Sequence, residues 1–351
     1  MRYTAKIKGR GSSSNPVNRF EKIDFVPDFQ EFDSVNKPKT TYFNDNTKKI
    51  ITYNNSPDII FDASINPYRG CEHGCVYCYA RPTHEYLGLS AGLDFETKIF
   101  VKINAPDLLS KELGSKKWIP KPIAISGATD CYQPAERKFE ITRKCLKVFS
   151  QFKNPVGIVT KNYLVTRDMD ILKELSEYDC INVVISITTL DSKLSNKMEP
   201  RASHPSYRLK AIEKLSEKGI PVMVLIAPVI PGLTDHEIPK IIEESVNAGA
   251  KQAGFVILRL PHGVKDIFIN WLELSYPERK NKVVHRIESI RNGKLNSSQF
   301  FDRMKGKGLF SKQIKDIFDM SCKKTGIQGN RIKLDTSHFK RVNLRQLSLF
   351  E

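Results

Sequence analysis

From residue 59 onward the chain repeats one pattern six times, and this repetition constrains the fold more than any other feature. A short run rich in Val, Ile and Leu is followed by a stretch in which apolar residues recur at helical spacing. The predicted strands are 59–65, 122–126, 156–160, 181–188, 221–227 and 252–258. The predicted helices include 136–152, 169–178, 207–218 and 238–248. Strands that are apolar throughout, without alternation, suit a parallel sheet covered on both faces. Gly219 and Gly249 fall where helix C-caps belong. Six βα units with right-handed crossovers close, or nearly close, into a parallel barrel, with a flavodoxin-like open sheet as the alternative. A barrel of this kind carries its chemistry on the loops at the strand C-termini.

The loop after the first predicted strand reads Asn66-Pro67-Tyr68-Arg69-Gly70-Cys71-Glu72-His73-Gly74-Cys75-Val76-Tyr77-Cys78-Tyr79. It holds three of the seven cysteines within eight residues. Cys-x3-Cys-x2-Cys on one tight loop can grip three irons of a [4Fe–4S] cluster. A closed electron-transfer cluster takes four cysteines, so here the fourth iron is left open for a small molecule. A structural zinc site is the rival reading. Such sites usually close with four ligands, often two Cys-x2-Cys pairs. No second pair exists, and His73 or His84 would have to complete the set. Length, an odd cysteine count and the lack of a signal peptide disfavour a disulfide framework.

Cys71, Cys75 and Cys78, with Tyr77 just before the last cysteine, resemble the signature of the radical S-adenosylmethionine (radical SAM) superfamily. The string Cys75-Val76-Tyr77-Cys78-Tyr79 is similar to its spore photoproduct lyase branch, also called DNA repair photolyase-like. The resemblance runs from about Gly9 through the barrel region and beyond. It implies an α/β fold, a partial (β/α)6 barrel. It also implies a [4Fe–4S] cluster and S-adenosylmethionine as cofactors, an external electron donor, and a reaction begun by a 5′-deoxyadenosyl radical. The cofactor does the hard chemistry while the protein orients it and excludes water.

S-adenosylmethionine carries an amine, a carboxylate and a ribose diol, so acceptors, a cation and hydroxyls should line the strand ends. Strand two ends in Gly127-Ala128-Thr129-Asp130. The superfamily often has Gly-Gly-Glu there, with backbone carbonyls that accept from the amine, and this chain departs from that motif. Lys161, after strand three, is the candidate cation for the carboxylate; a similarly placed lysine occurs in the lyases. Ser186 and Thr188 on strand four are candidates for the ribose or carboxylate. Glu199 and Arg201, in Glu199-Pro200-Arg201-Ala202-Ser203, offer a second cation. The resemblance implies that Tyr79 packs beside the cofactor, as the matching lyase position does, with Tyr77 as a further candidate contact. Each has a structural alternative: a solvated Lys161, a core-bonded Ser186, a local Glu199–Arg201 ion pair. The lyases also use a cysteine in a similar loop as a hydrogen-atom donor. Cys131, with Tyr132, is therefore the candidate relay, although it follows an acidic residue where the lyase cysteine precedes one. A bystander thiol is the competing reading. Cys145 and Cys180 are most simply buried thiols.

The formal charge is +17, and residues 277–351 hold 18 Lys/Arg against 7 Asp/Glu, +11 of that total. Such an excess favours polyanionic partners, although a solvated lysine-rich surface is the plainer account. The chain ends in Gln346-Leu347-Ser348-Leu349-Phe350 before Glu351. This resembles the pentapeptide by which bacterial polymerases and repair proteins bind the sliding clamp, with Leu and Phe as anchors in an apolar cleft. A terminal helix end packed on its own domain is the alternative.

The expected organisation is an extended arm (1–55), a barrel core (56–262) with the cluster loop at 67–79, a basic helical extension (263–323) and a flexible tail (324–351) carrying the motif at 346–350. In the arm, Lys6, Lys8 and Arg10 are candidate phosphate contacts, with a mobile basic terminus as the commoner explanation. No run of eighteen apolar residues occurs and the N-terminus has no apolar h-region, so no membrane association is expected and a cytoplasmic setting is. Together these features suggest a radical SAM enzyme, a lyase or another radical catalyst, that repairs or modifies DNA bases at the replication clamp. A radical modifier of RNA, peptide or a small molecule is one rival; a non-catalytic Fe–S DNA-binding redox sensor is another.

Overall fold

All six apolar runs become neighbours in one sheet. The structure, a computed structural model, describes residues 7–20, 38–327 and 333–342. Its strands are Thr41–Asn44 (β1), Thr52–Tyr53 (β2), Ala63–Ile65 (β3), Tyr68–Arg69 (β4), Lys98–Val101 (β5), Ile123–Ile125 (β6), Val156–Thr160 (β7), Ile181–Ser186 (β8), Val222–Val229 (β9) and Gln252–Ile257 (β10). The main sheet runs β10-β9-β8-β7-β6-β3-β2, parallel except for β2. From β3 to β10 the spatial order follows the sequence. A flavodoxin-like sheet reverses direction at a switch point, and none occurs here. β10 and β2 form opposite edges, so the barrel is partial and has an open seam.

The helices are Leu93–Thr97 (α1), Ala105–Gly114 (α2), Glu136–Phe139 (α3), Ile141–Phe152 (α4), Met169–Ser176 (α5), Ser192–Met198 (α6), Pro205–Glu217 (α7), Ile238–Asn247 (α8), Val264–Ser275 (α9), Pro277–Ser289 (α10), Asp302–Lys305 (α11) and Gly308–Thr325 (α12). Helices cover the outside of the sheet, where Ile158, Val183 and Ile185 join one core with Leu146, Leu172 and Leu175. The alternate positions Gly157, Val159, Asn182 and Val184 are only partly buried. That alternation departs from strands covered equally on both faces and leaves the lumen an open cleft. The helix expected over 136–152 is broken at Glu140, φ +55°. The Glu136 carboxylate accepts from Thr142 N at 2.9 Å and Arg143 N at 3.2 Å, so α4 starts afresh with a capping acid.

The segment between β4 and β6 holds elements that sequence patterning missed. A second sheet, β1-β5-β4, pairs part of the N-terminal segment with the start of the cysteine loop. The arm is also locked further upstream. Both oxygens of buried Glu96 accept from the arm, at Ser12 N (2.7 Å) and Gly11 N (2.9 Å), and Arg81 completes the site at 2.6 Å. Arg10 is buried and donates to Glu96 O and Pro38 O, which corrects its expected role as a phosphate contact. Lys8 is exposed, and Lys6 lies outside the described residues. A Cβ at Gly11 would meet Gly74 O at 1.6 Å. Gly11→Ala is therefore expected to unseat the arm from the cysteine loop, costing about 2–3 kcal/mol, read as a lower urea midpoint and faster proteolysis before residue 40.

The extension covers the same loop from the other side. Val264, Phe268, Trp271 and Leu272 of α9 and Val283 and Ile287 of α10 share one apolar cluster with Val76 and Tyr77. Beyond α12, residues 333–342 carry no helix or strand but are held in place. Lys340 N donates to Phe152 O at 2.9 Å, Asp335 N to Asp179 O at 3.0 Å and Arg341 to Trp118 O at 2.9 Å. These anchors precede β6, β7 and β8, so this part of the expected flexible tail crosses the face opposite the cysteine loop. The pentapeptide 346–350 lies outside the described residues.

Candidate active site

The cysteine loop leaves β4 and is turned by Gly70 (φ +80°) and Gly74 (φ +66°). A Cβ at Gly74 would lie 2.7 Å from Glu96 Oε2. Cys78 N donates to Cys75 O at 3.2 Å and Arg81 N to Cys78 O at 3.2 Å, which winds the second half tightly. Gln133 bridges the loop to the segment after β6, donating to Gly70 O and accepting from Glu72 N. All seven cysteines are free; Cys71 and Cys75 are buried and Cys78 is partly exposed. Burial pushes all three loop thiols up, and Asp130 adds to this at Cys71. Backbone N–H groups face two of the sulfurs: Asp130 at Cys71, and Ala80 and Arg81 at Cys78. Each local histidine has one ring nitrogen hydrogen-bonded, while Nδ1 of both is buried without a hydrogen-bond partner. His84 Nε2 lies 2.9 Å from Lys98 O, and His73 sits between Asn162 and Asp130. Among the described residues no three His, Cys, Asp or Glu side chains converge on one ion position. A single zinc needs such convergence, whereas in a four-iron cube each thiolate takes its own iron.

The strand ends bring most of the remaining candidates together. Lys161 Nζ donates to Ser186 Oγ at 2.9 Å and Ala227 O at 3.2 Å, 5.9 Å from the Tyr77 ring. Ser186 also donates to Ala227 O at 3.2 Å, and Thr188 Oγ1, 3.0 Å from it, shares its single proton between this carbonyl and Glu199. This carbonyl is the hub of the site, and sequence reasoning missed it because a backbone acceptor leaves no signature in residue type. Glu199 is buried against Arg208, Tyr77 and Thr188. Burial works against its charge, but Arg208 and then Lys161 hold its carboxyl down at about 2. Arg201 turns away, to Glu72 at 3.0 Å and Thr40 at 3.2 Å, so Glu199 and Arg201 form neither a local pair nor a joint site.

After β6, Ala128 N and Thr129 N both point at Asn66 Oδ1, and Gly127 O accepts the Tyr79 hydroxyl at 2.7 Å. Asp130 accepts from Thr160 Oγ1 and Lys161 N. His73 first, then these donors, overcome burial and keep its carboxyl at about 2. Cys131 is fully buried in the main core, and its N–H donates to Ser126 Oγ. Tyr132 donates to Asp168 at 3.0 Å, a carboxylate that Arg143 and Arg167 also hold. Its phenol thus serves the packing between α4 and α5.

The buried ionisable groups set an acid limit on the fold. Burial lowers His84 to about 4, and Asp130 and Glu199 are held at about 2. All three are depressed, so their stabilisation is complete above the unfolded values and is lost as pH falls. His84 acts between about pH 6.5 and 4, the carboxylates between about pH 4.5 and 2. The urea midpoint of the apoprotein is expected to fall in those two stages, by roughly 2–3 kcal/mol per group.

The radical SAM superfamily model matches residues 65–244, from the end of β3 into α8. The chain belongs to the radical SAM superfamily. An uncharacterised protein of Mycobacterium tuberculosis is 32% identical over 226 residues, which cover 64% of this chain and 66% of that one. The chain thus spans just under two thirds of that relative's length. Spore photoproduct lyase complexed with dinucleoside spore photoproduct superposes with a TM-score of 0.55 at 16% identity, covering 81% of this chain and 78% of that chain. A mutant of the lyase with bound AdoMet and the same dinucleoside superposes at 0.54 and 17%. At such identities the likeness is one of fold.

The superfamily's cofactors are a [4Fe–4S] cluster and S-adenosylmethionine, and the site has the donors both require. Three free thiols that burial keeps neutral wait on one loop for a cation to displace their protons. Beside them stand one ammonium, two hydroxyls and a shared carbonyl at adjoining strand ends.

Proposed function

We propose that this radical SAM protein is an enzyme that repairs or modifies a base in DNA, with Cys71, Cys75 and Cys78 as the cluster ligands. The observation that carries the enzymatic reading is the cysteine loop, which opens onto Lys161, Ser186 and Ala227 O instead of a fourth thiolate. With an external electron donor, the cluster and S-adenosylmethionine together supply a 5′-deoxyadenosyl radical. The chain's own groups do the rest. Two of the three Lys161 protons are engaged, and the third serves a carboxylate. Glu199 fixes the Tyr77 ring beneath that ammonium. The α9–α10 layer over Val76 and Tyr77 keeps water from the thiols. Tyr79, Thr188 and the amides of Ala128 and Thr129 border the cofactor position. Cys131, the thiol next to Asp130, is tested as hydrogen-atom donor by Cys131→Ala; unchanged products and isotope return to S-adenosylmethionine remove it from the mechanism.

The DNA reading rests on charge, +11 of the +17 lying in residues 277–351. The deciding experiment is anaerobic reconstitution with a chemical reductant, followed by measurement of 5′-deoxyadenosine release with intact duplex, ultraviolet-irradiated duplex and RNA. Stimulation by DNA supports the proposal. No release under any condition removes the enzyme, and stimulation by RNA alone removes DNA. Pull-down of the sliding clamp with and without the last six residues tests the tail; equal recovery removes that partner.

A further inference from the structure

The seam of the barrel is bridged by the segment just before and through α11, and its geometry is unusual. Phe301 has φ +64° and ψ −51°, and Asp302 N donates back to Phe300 O at 2.8 Å. This is a γ-turn of positive φ centred on a phenylalanine, a rare and strained conformation for an L residue. The surroundings hold it there. Asp58, in the β2–β3 connection, accepts from Phe301 N at 2.9 Å and from Arg303 Nε at 2.7 Å. Arg291 donates to Asp302 O and Arg303 O from behind. The strain presents two adjacent rings to solvent: Phe300 is 49% exposed and Phe301 59%, and the Arg303 guanidinium stacks 4.8 Å over one face of Phe300. Backbone strain that the neighbouring structure over-determines concentrates at functional sites.

Two cationic features flank this turn. Arg259, just past β10, lies 5.3 Å over the Tyr79 ring, next in sequence to Cys78, and its Nη1 reaches Met304 Sδ at 3.8 Å. Its Nε is buried without a hydrogen-bond partner, and it forms no ion pair among the described residues. Between the end of α11 and the start of α12 an open pocket of about 270 Å³ is lined by Lys305, Lys307, Lys312 and Lys315 with Ser311 and Phe255. Asp302 pairs with Lys307 and Asp319 with Lys315; Lys305 and Lys312 have no such partner among the described residues.

We propose that Phe300 and Phe301 form a wedge that enters a DNA duplex, stacks on one base and holds it out of its pair, while Arg259 and the lysine-lined pocket take the flanking phosphates. The proposal rests on the DNA reading above and says how the base reaches the open face of the barrel. Apolar rings inserted at a base step pay for unstacking through the wider backbone contact that the kink allows. Arginine and lysine beside the rings supply that contact.

The test uses the reconstituted full chain and a duplex with 2-aminopurine at an unpaired position. Wild type is expected to bind it and change the probe's fluorescence. Phe300→Ala/Phe301→Ala is expected to weaken binding about tenfold or more and to abolish the fluorescence change. Phe301→Gly, which accepts the positive φ, removes one ring without adding strain and should show the same loss in part; Phe301→Trp should restore it. Arg259→Met should lower the salt dependence by about one phosphate. Iron content and Tm matching wild type show that the variants are folded. Binding and fluorescence unchanged in the double variant overturn the wedge while the DNA reading stands. A wild type that binds no DNA overturns both, and tighter binding to the matching RNA overturns DNA as the occupant.

Discussion

Cys75→Ala is expected to lower S-adenosylmethionine cleavage by about three orders of magnitude or more and to leave the reconstituted protein without a stable cluster. Among the described residues no fourth cysteine stands beside the loop. The other four cysteines lie elsewhere, with Cys131 and Cys145 inside the main core. His73 is held between Asn162 and Asp130, and His84 is tied through Nε2 to Lys98 O. Cys71→Ala and Cys78→Ala should behave alike, while Cys145→Ala, buried in α4, should keep its iron and its activity. The measurement is iron and sulfide content, the reduced-state electron paramagnetic resonance signal and 5′-deoxyadenosine yield. A zinc-loaded wild type without labile sulfide would remove the Fe–S assignment, and full iron retention in any loop variant would remove that ligand.

Glu199→Ala is expected to destabilise the fold by about 3–5 kcal/mol, because it leaves the fully buried Arg208 guanidinium without its counter-charge. Arg208 keeps only the carbonyls of Ser203 and Ser186, and Tyr77 and Thr188 lose a shared acceptor. Tm should fall by about 5–10 °C. Glu199→Gln keeps the acceptor but not the charge, so it should fall between wild type and Ala. The double variant Glu199→Gln/Arg208→Met should recover part of the loss, since removing both charges removes the burial penalty as well. If Glu199→Ala melts like wild type, the network does not hold Tyr77 and the loop in place.

Much of this was legible along the chain. Each apolar run landed in the sheet, and their monotonic order made a partial barrel, because parallel strands buried under helices carry a continuous Val/Ile/Leu signal. The short elements inserted before β6 were missed: four residues at Lys98–Val101 and five at Leu93–Thr97 are too few to show a period. What anchors the arm was not legible for a related reason. Gly9-Arg10-Gly11-Ser12 looks like mobile basic chain, yet its amides and Arg10 close the hydrogen bonds of Glu96, a partner more than eighty residues away.

The division at the site follows from chemistry. Cys71, Cys75 and Cys78 announce themselves because the donor set, its spacing and its place after a strand are all local to the sequence. Lys161, Ser186 and Thr188 could be placed at strand ends, but their convergence on Ala227 O depended on the register of β8 against β9. Glu199 and Arg201 sit two residues apart and face opposite ways, which only the backbone path after α6 decides. The sequence by itself determined the succession of βα units and the three-thiol loop, since these depend on periodicity and spacing, and the loop's resemblance to a known superfamily chose the partial barrel over an open sheet. Tertiary structure alone decided which charges are buried in pairs, which carbonyl gathers the donors, and that two phenylalanines stand exposed on a strained turn at the seam. Those outcomes depend on contacts between segments far apart in sequence, where no local pattern records them.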